Sequence, residues 1–244
     1  MLIMGPSGSG KTAVLRAIRG LWPIHRSALP SLATAGLRTG RLAGDEPVVS
    51  CVPALAEVVD TGGMLPSTGE PGVVSLTLSQ QPYLMPTASL RQQLVYPLHL
   101  ANSKHHSSRS GGGGLGAGRS VWVSDGEAVE LLALVGLPSE LLVDRCGGLD
   151  SIRTDWVSLL SPGQRQLLSF CRLFVHNRYA GVGLALLDEA SSSISGAAET
   201  AMYRLCRQFG ISVLSFGHRS SLLALHDTVL SIKDGVLTPG EPGH

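Results

Sequence analysis

Aromatic side chains make up only 5% of this 244-residue chain, and neither sign of charge dominates, the formal net charge being +1. Such a balance, without a dense lysine or arginine cluster, excludes an electrostatic binder of nucleic acid, which needs a basic face for the phosphates. Cysteine is scarce as well. The four present, Cys51, Cys146, Cys171 and Cys206, show no C-x-x-C spacing. That excludes a zinc site or a disulfide framework and predicts small buried side chains in a reducing compartment. No run of about 18 apolar residues offers a membrane span, and the N-terminus lacks the basic-then-apolar order of a signal peptide. Glycine, by contrast, is plentiful at 30 residues, and a hydrophobic content of 43% leaves ample material for a core.

Periodicity along the chain alternates between strand and helix. Val14, Leu15, Ile18 and Leu21 have helical spacing from Ala13 to Trp22, where Pro23 would end the helix. Residues 24–72 carry Pro, Gly, Ser and Thr without a sustained period and read as an insertion. Val73 to Leu78 alternates as a strand, and the Gly-rich stretch 102–120 has the composition of a flexible linker. His105 and His106 inside it lack further ligands and read as loop residues. Helices are then predicted over Glu127–Leu137, Pro162–His176, Ala197–Phe209 and Ser220–Leu225. Strands are predicted over Leu184–Leu187, Ile211–Phe216 and Thr228–Ile232, the last pairing with Val236–Leu237 across Asp234–Gly235. This order implies an α/β layer on a mainly parallel sheet.

Within that frame, Gly5-Pro6-Ser7-Gly8-Ser9-Gly10-Lys11-Thr12 follows the apolar Leu2-Ile3-Met4 and precedes the first helix. The pattern G-x-x-x-x-G-K-[ST] in a strand–turn–helix setting is a phosphate-binding loop. Its glycines let successive N–H groups turn inward around a phosphate. The helix dipole, the Lys11 ammonium and the Thr12 hydroxyl would add to the hold, the last through Mg²⁺. A chance glycine-rich turn is the alternative.

Further along, Leu184-Ala185-Leu186-Leu187-Asp188-Glu189 is an apolar strand that delivers two carboxylates at its C-terminal edge. Asp188 suits Mg²⁺ and Glu189 suits polarising a water, although an acidic cap after a core strand would look the same. Leu160-Ser161-Pro162-Gly163-Gln164 opens the long helix as a capping box with proline at the first helical position. Such an exposed helix start also suits a γ-phosphate. His218 follows the strand ending at Phe216, where it could donate to that phosphate or orient the water.

The phosphate loop, Gln80 after a strand, the Leu160–Gln164 signature, Asp188-Glu189 and His218 come in the order of an ABC-transporter nucleotide-binding domain, which the chain resembles over nearly its whole length. Gly20-Leu21-Trp22-Pro23 and Gln80-Gln81-Pro82-Tyr83, followed by Ser89 to Pro97, look like subfamily D, the half-transporters of peroxisomes and lysosomes that handle fatty acyl-CoA or cobalamin. The Leu-Ser-Pro-Gly signature and Gly217 to Leu222 are more similar to the lysosomal, cobalamin-associated branch. The resemblance implies a P-loop ATPase core of residues 1–244 with a helical signature subdomain at 82–165, the family's N-terminal strands and membrane domain lying before Met1.

It further implies ATP held by Gly5 to Thr12, with Mg²⁺ on Thr12, Gln80 and Asp188, and Glu189 as catalytic base with His218 as γ-phosphate sensor. Ser161, Gly163 and Gln164 would act on ATP held by a second such domain, in a homo- or heterodimer at the cytosolic face of an organelle membrane. Ser195 stands where the family usually has aspartate, Pro162 replaces a glycine and Leu167 an arginine. Ser195 keeps open an impaired cassette that only dimerises, and a soluble ABC ATPase outside transport is a separate alternative.

Overall fold

The computed structural model describes residues 1–19, 74–100, 120–233 and 235–240. The 24–72 insertion, Gly20–Pro23, most of the Gly-rich linker with His105 and His106, Cys51 and Asp234 lie outside the described residues.

In chain order the elements are β1 (Leu2–Met4), α1 (Lys11–Ile18), β2 (Val74–Ser79), α2 (Leu90–Val95), β3 (His99–Leu100), β4 (Ser120–Val121), α3 (Asp125–Leu134) and α4 (Ser139–Cys146). They continue with α5 (Trp156–Leu159), α6 (Pro162–Ala180), β5 (Val182–Asp188), α7 (Gly196–Gln208), β6 (Ser212–Gly217), a 3₁₀ turn (Ser220–Leu225), β7 (Val229–Lys233) and β8 (Val236–Pro239). The six-stranded sheet has the order β2-β5-β6-β1-β7-β8. β1 runs parallel to both β6 and β7, and β8 closes the edge antiparallel to β7. The expected α/β fold on a mainly parallel sheet is therefore present.

Several bounds move. The first helix stops at Ile18, capped by Arg19, instead of reaching Trp22. The helix expected at Glu127–Leu137 begins at Asp125, where the Ser124 hydroxyl accepts from Glu127 N at 3.3 Å, and ends at Leu134 before Gly136 turns left-handed. α6 runs a turn past His176 until Gly181 adopts φ 70°, the C-terminal stop that glycine permits.

The chain divides into two compact units. The first comprises Met1–Thr77, Leu186–Glu189 and Val213–His244. Leu2, Ile3, Leu15, Leu187, Phe216 and Ile232 are buried there, so the apolar strands and one face of α1 make its core. Leu2 faces Ser215 on one side and Val229 on the other, which sets the register that places Met4 beside Gly217.

The second unit comprises Leu78–Ala185 and Ala190–Ser212. Its axis is the 19-residue helix α6, buried along Leu168, Phe170, Leu173 and Phe174. Polar side chains on α6 hold the segment that leads into α2. Arg172 donates to Gln93 O and to the Gln93 side chain at 2.6 Å, and also to Tyr83 O. No carboxylate faces it in these bonds, and burial pulls its pKa down to about 10. His176 Nε2 donates to the Val95 and Tyr96 carbonyls, each at 3.1 Å. Arg91, only 1% exposed, donates to both Asp150 oxygens, to Asp125 and to Val123 O, with its guanidinium over the Trp122 ring. That one side chain ties the starts of α2 and α3 to the turn after α4. Cys146, Cys171 and Cys206 are buried free thiols, as expected from their spacing.

Candidate functional site

The first unit gathers the phosphate loop and the strand-end carboxylates. β1 ends at Met4 and the chain turns through Gly5 to Gly10, with Ser9 N donating back to Pro6 O at 3.2 Å. Gly10 caps α1 at φ 103° and Gly8 lies at φ 80°, conformations that any side chain would strain. Gly5 is required for a different reason: a Cβ there would lie 2.6 Å from the Ile232 side chain, the Ile232 carbonyl and Ser9 Oγ. The Lys11 ammonium is nearly buried and donates to Gly5 O at 2.7 Å and Pro6 O at 2.9 Å. Ser9 Oγ is buried with no hydrogen-bond partner among the described residues. Pro6, Ser7, Gly8 and Thr12 are exposed. A buried ammonium, an unpartnered hydroxyl and a helix N-terminus in one tight loop fit a phosphate.

β6 lies beside the loop's strand and β5 beside β6, and both end in the predicted chemistry. Asp188 closes β5, and burial pushes its carboxyl above the usual range. The Glu189 charge pushes it the same way, and Lys11 and Arg16 offset this only in part. A carboxylate made unfavourable in this way is suited to a cation, and Mg²⁺ usually takes one or two carboxylates together with phosphate oxygens. Among the described residues no group of three or more His, Cys, Asp or Glu side chains forms a closed metal site.

Glu189 is the only non-glycine described residue with positive φ, at 50°. That backbone costs about 1–2 kcal/mol, and it is fixed by Glu189 N donating to Phe216 O at 3.0 Å. The same turn aims the carboxylate at His218, whose Nδ1 donates to Glu189 Oε1 at 3.2 Å. The two residues, predicted 29 positions apart, form one hydrogen-bonded pair.

Gln80, Ser161, Gly163 and Gln164 belong to the second unit. The capping box forms as expected: Gln164 N donates to Ser161 Oγ at 3.2 Å and Ser161 N to Gln164 Oε1 at 3.0 Å. Ser161 is exposed at the helix start. Gly163 lies so close to the loop after β5 that a Cβ would sit 2.7 Å from Ser193 O. Gln80 is exposed, and its carbonyl accepts from Gln166 Nε2 at 3.0 Å. Gln166 was not among the predicted site residues. Its one sequence signal is a polar residue, two past Gln164, on a helix otherwise buried among apolar side chains. Arg16, whose charge acts on Asp188, was missed too.

Known proteins are similar to this chain in sequence. The chain is 34% identical over 240 residues, 95% of its length, to the chloroplastic ABC transporter D family member 2 of Arabidopsis thaliana. It is 34% identical over 96% of its length to the lysosomal cobalamin transporter of Mus musculus. Over nearly its whole length the chain is thus similar to ABC transporters of the D family. It spans 30% of the length of each of these two relatives. A bacterial Atm1-family ABC exporter with ATP bound shares the fold at a TM-score of 0.56 and 16% identity, covering 96% of this chain and 32% of the exporter's. No family model matches the chain.

The departures noted in the sequence now have local descriptions. Ser195 caps α7, its hydroxyl accepting from Ala198 N at 3.3 Å, so the capping part of an aspartate's role is kept while the charge is not. Pro162 takes the first helical position of α6, where its missing N–H leaves no bond unmade. Among the described residues no helix is long and apolar enough to cross a membrane.

Proposed function

We propose that this domain binds and hydrolyses ATP to power a subfamily D half-transporter at an organelle membrane. The observation that carries the reading is the convergence, in one unit, of a phosphate loop with a buried lysine and the Glu189–His218 pair. Gly5 to Thr12 would hold the phosphates, and Thr12 and Asp188 a magnesium ion, with Gln80 assigned as a further ligand by family resemblance. Magnesium supplies charge neutralisation on the phosphate oxygens. Glu189 would accept a proton from water, and His218 would orient that carboxylate or donate to the γ-phosphate. Ser161, Gly163 and Gln164 would be presented to the nucleotide of a second cassette. The relatives' names point to cobalamin as cargo and to chloroplast or lysosome as compartments, and the family resemblance adds fatty acyl-CoA and the peroxisome. An impaired cassette is the less favoured reading, because Glu189 and His218 are both present and paired.

The test uses the full-length protein and a fluorescent ATP analogue. Lys11→Ala is expected to abolish nucleotide binding, whereas Glu189→Gln is expected to retain ATP and hold the dimer closed while turnover falls at least about a hundredfold. Unchanged ATP affinity in the first variant would sink the phosphate-loop assignment. Rapid turnover by the second would remove Glu189 as base.

A further inference from the structure

We propose that Gln166 is a positioning residue for ATP hydrolysis, its carboxamide locking two loops to the first turns of α6. Gln166 is 1% exposed. Its Nε2 donates to Gln80 O and to Ser192 Oγ, both at 3.0 Å, and its Oε1 accepts from Ser193 N at 2.7 Å. A carboxamide has two N–H donors, and both are spent here. Three bonds from one buried side chain join the loop after β2, the loop after β5 and the signature helix.

Burying an amide is unfavourable unless its polar atoms are satisfied, and an apolar residue would fill this helix position at less cost. The expense is matched by what the side chain holds. Gly163, one turn before it, leaves room for the Ser193 carbonyl, which a Cβ would meet at 2.7 Å. Glycine thus admits the loop and glutamine fastens it, two contacts on the same face of α6 with the same partner residue. The other buried polar side chains of this helix, Ser169, Arg172 and His176, bond Gln166 O, Gln93, Tyr83 O, Val95 O and Tyr96 O, and none of these bonds involves the 192–193 loop. The Gln166 side chain connects the segments bearing Gln80 and Ser161–Gln164 with the turn that follows Glu189.

The inference rests on the ATPase reading above, because Gln166 would act through residues to which that reading gives roles. It touches no nucleotide-binding residue of the phosphate loop in these bonds. A loss of positioning should consequently appear in the rate and not in the affinity, since small misplacements of reacting groups cost rate steeply.

In the full-length protein, Gln166→Met keeps the length of the side chain and removes all three bonds. Gln166→Glu keeps an acceptor for Ser193 N and loses the donors. Both are expected to lower kcat about tenfold or more while KM for ATP stays within roughly threefold. Ser192→Ala is expected to lower kcat about threefold alone and to add nothing in the Gln166→Met background, because the two act through one bond. If Gln166→Met does not fold, the glutamate and alanine variants carry the test. Wild-type turnover with unchanged kcat in the variants, a rise in KM matching the fall in kcat, or additive effects would each overturn the positioning role. A wild-type protein that neither binds nor hydrolyses ATP would instead overturn the ATPase reading, and this inference with it.

Discussion

Gly163→Ala is a one-methyl probe of how closely the signature helix and the loop after β5 must approach. The added Cβ would lie 2.7 Å from Ser193 O, 3.6 Å from Ser193 C and 3.8 Å from Ile194 Cγ2. Real Cβ contacts do not fall below 3.0 Å and are ordinary from 3.4 Å, so loop or helix must retreat by about 0.3–0.7 Å. The neighbour is backbone and cannot swing aside as a side-chain tip would. Overpacking of this kind costs about 1–3 kcal/mol, against a gain of about 0.5–1 kcal/mol for replacing glycine within a helix. From the middle of these ranges a net loss of about 1 kcal/mol remains, or a fall in Tm of roughly 2–4 °C for a domain of this size. Retreat would also stretch the 2.7 Å bond from Ser193 N to Gln166.

Gly126 supplies the control. It occupies the same second helical position after a serine N-cap, in α3, and nothing lies within 4 Å of a Cβ built there. Gly126→Ala should raise the melting temperature and leave turnover alone, whereas Gly163→Ala should lower both, turnover by about tenfold or more. Differential scanning fluorimetry and a coupled ATPase assay on the full-length protein read the two quantities. Equal behaviour of the two alanines would refute the reasoning, because helix propensity would then outweigh the contact.

Two further predictions concern the second unit. Arg91→Met keeps the apolar stem but leaves Val123 O without its donor. Asp125 and Asp150, at 73% and 64% side-chain exposure, return to water, so the expected loss is about 2–3 kcal/mol in urea unfolding; a change below about 0.5 kcal/mol would contradict it. His176 is held neutral because burial lowers its pKa from 6.5 despite its bonds to the Val95 and Tyr96 carbonyls. With the folded value below the unfolded one, its contribution is fully present above about pH 6.5 and is lost as pH falls through the folded value. The urea midpoint should fall more between pH of about 7.5 and 5.5 in the wild type than in His176→Gln, and parallel curves would exclude the residue as a cause.

How much of this was legible in the sequence depended on whether a signal was local. α6 was announced by Ser161, Pro162 and Gln164, a cap whose every bond lies within four residues, and β5 by an unbroken apolar run. α4 was missed because it starts after Pro138 without a side-chain cap, and the two-residue strands β3 and β4 are too short for any period to show. The predicted helix at Ser220–Leu225 is a 3₁₀ turn, lacking an N-cap bond and ending in extended His226. At the site, motif order named Lys11, Asp188, Glu189 and His218, but nothing in it required Glu189 to be left-handed. That conformation depends on a carbonyl 27 residues away, at Phe216. Gln166 was illegible for a similar reason: a helical glutamine ordinarily faces water, and its three partners come from 26, 27 and 86 residues distant.

The lysine of the phosphate loop has its orientation settled in advance. An ammonium carries three protons, and Gly5 O and Pro6 O take two of those of Lys11 at 2.7 and 2.9 Å. A long flexible side chain normally gives up about 1.5–2 kcal/mol of rotamer entropy when a ligand immobilises it. Here folding has already met that loss, so an arriving phosphate oxygen need only accept the third proton and break neither existing bond. The loop therefore engages its anion with a stiff cation, and the free energy of that contact goes into holding the nucleotide instead of ordering the protein.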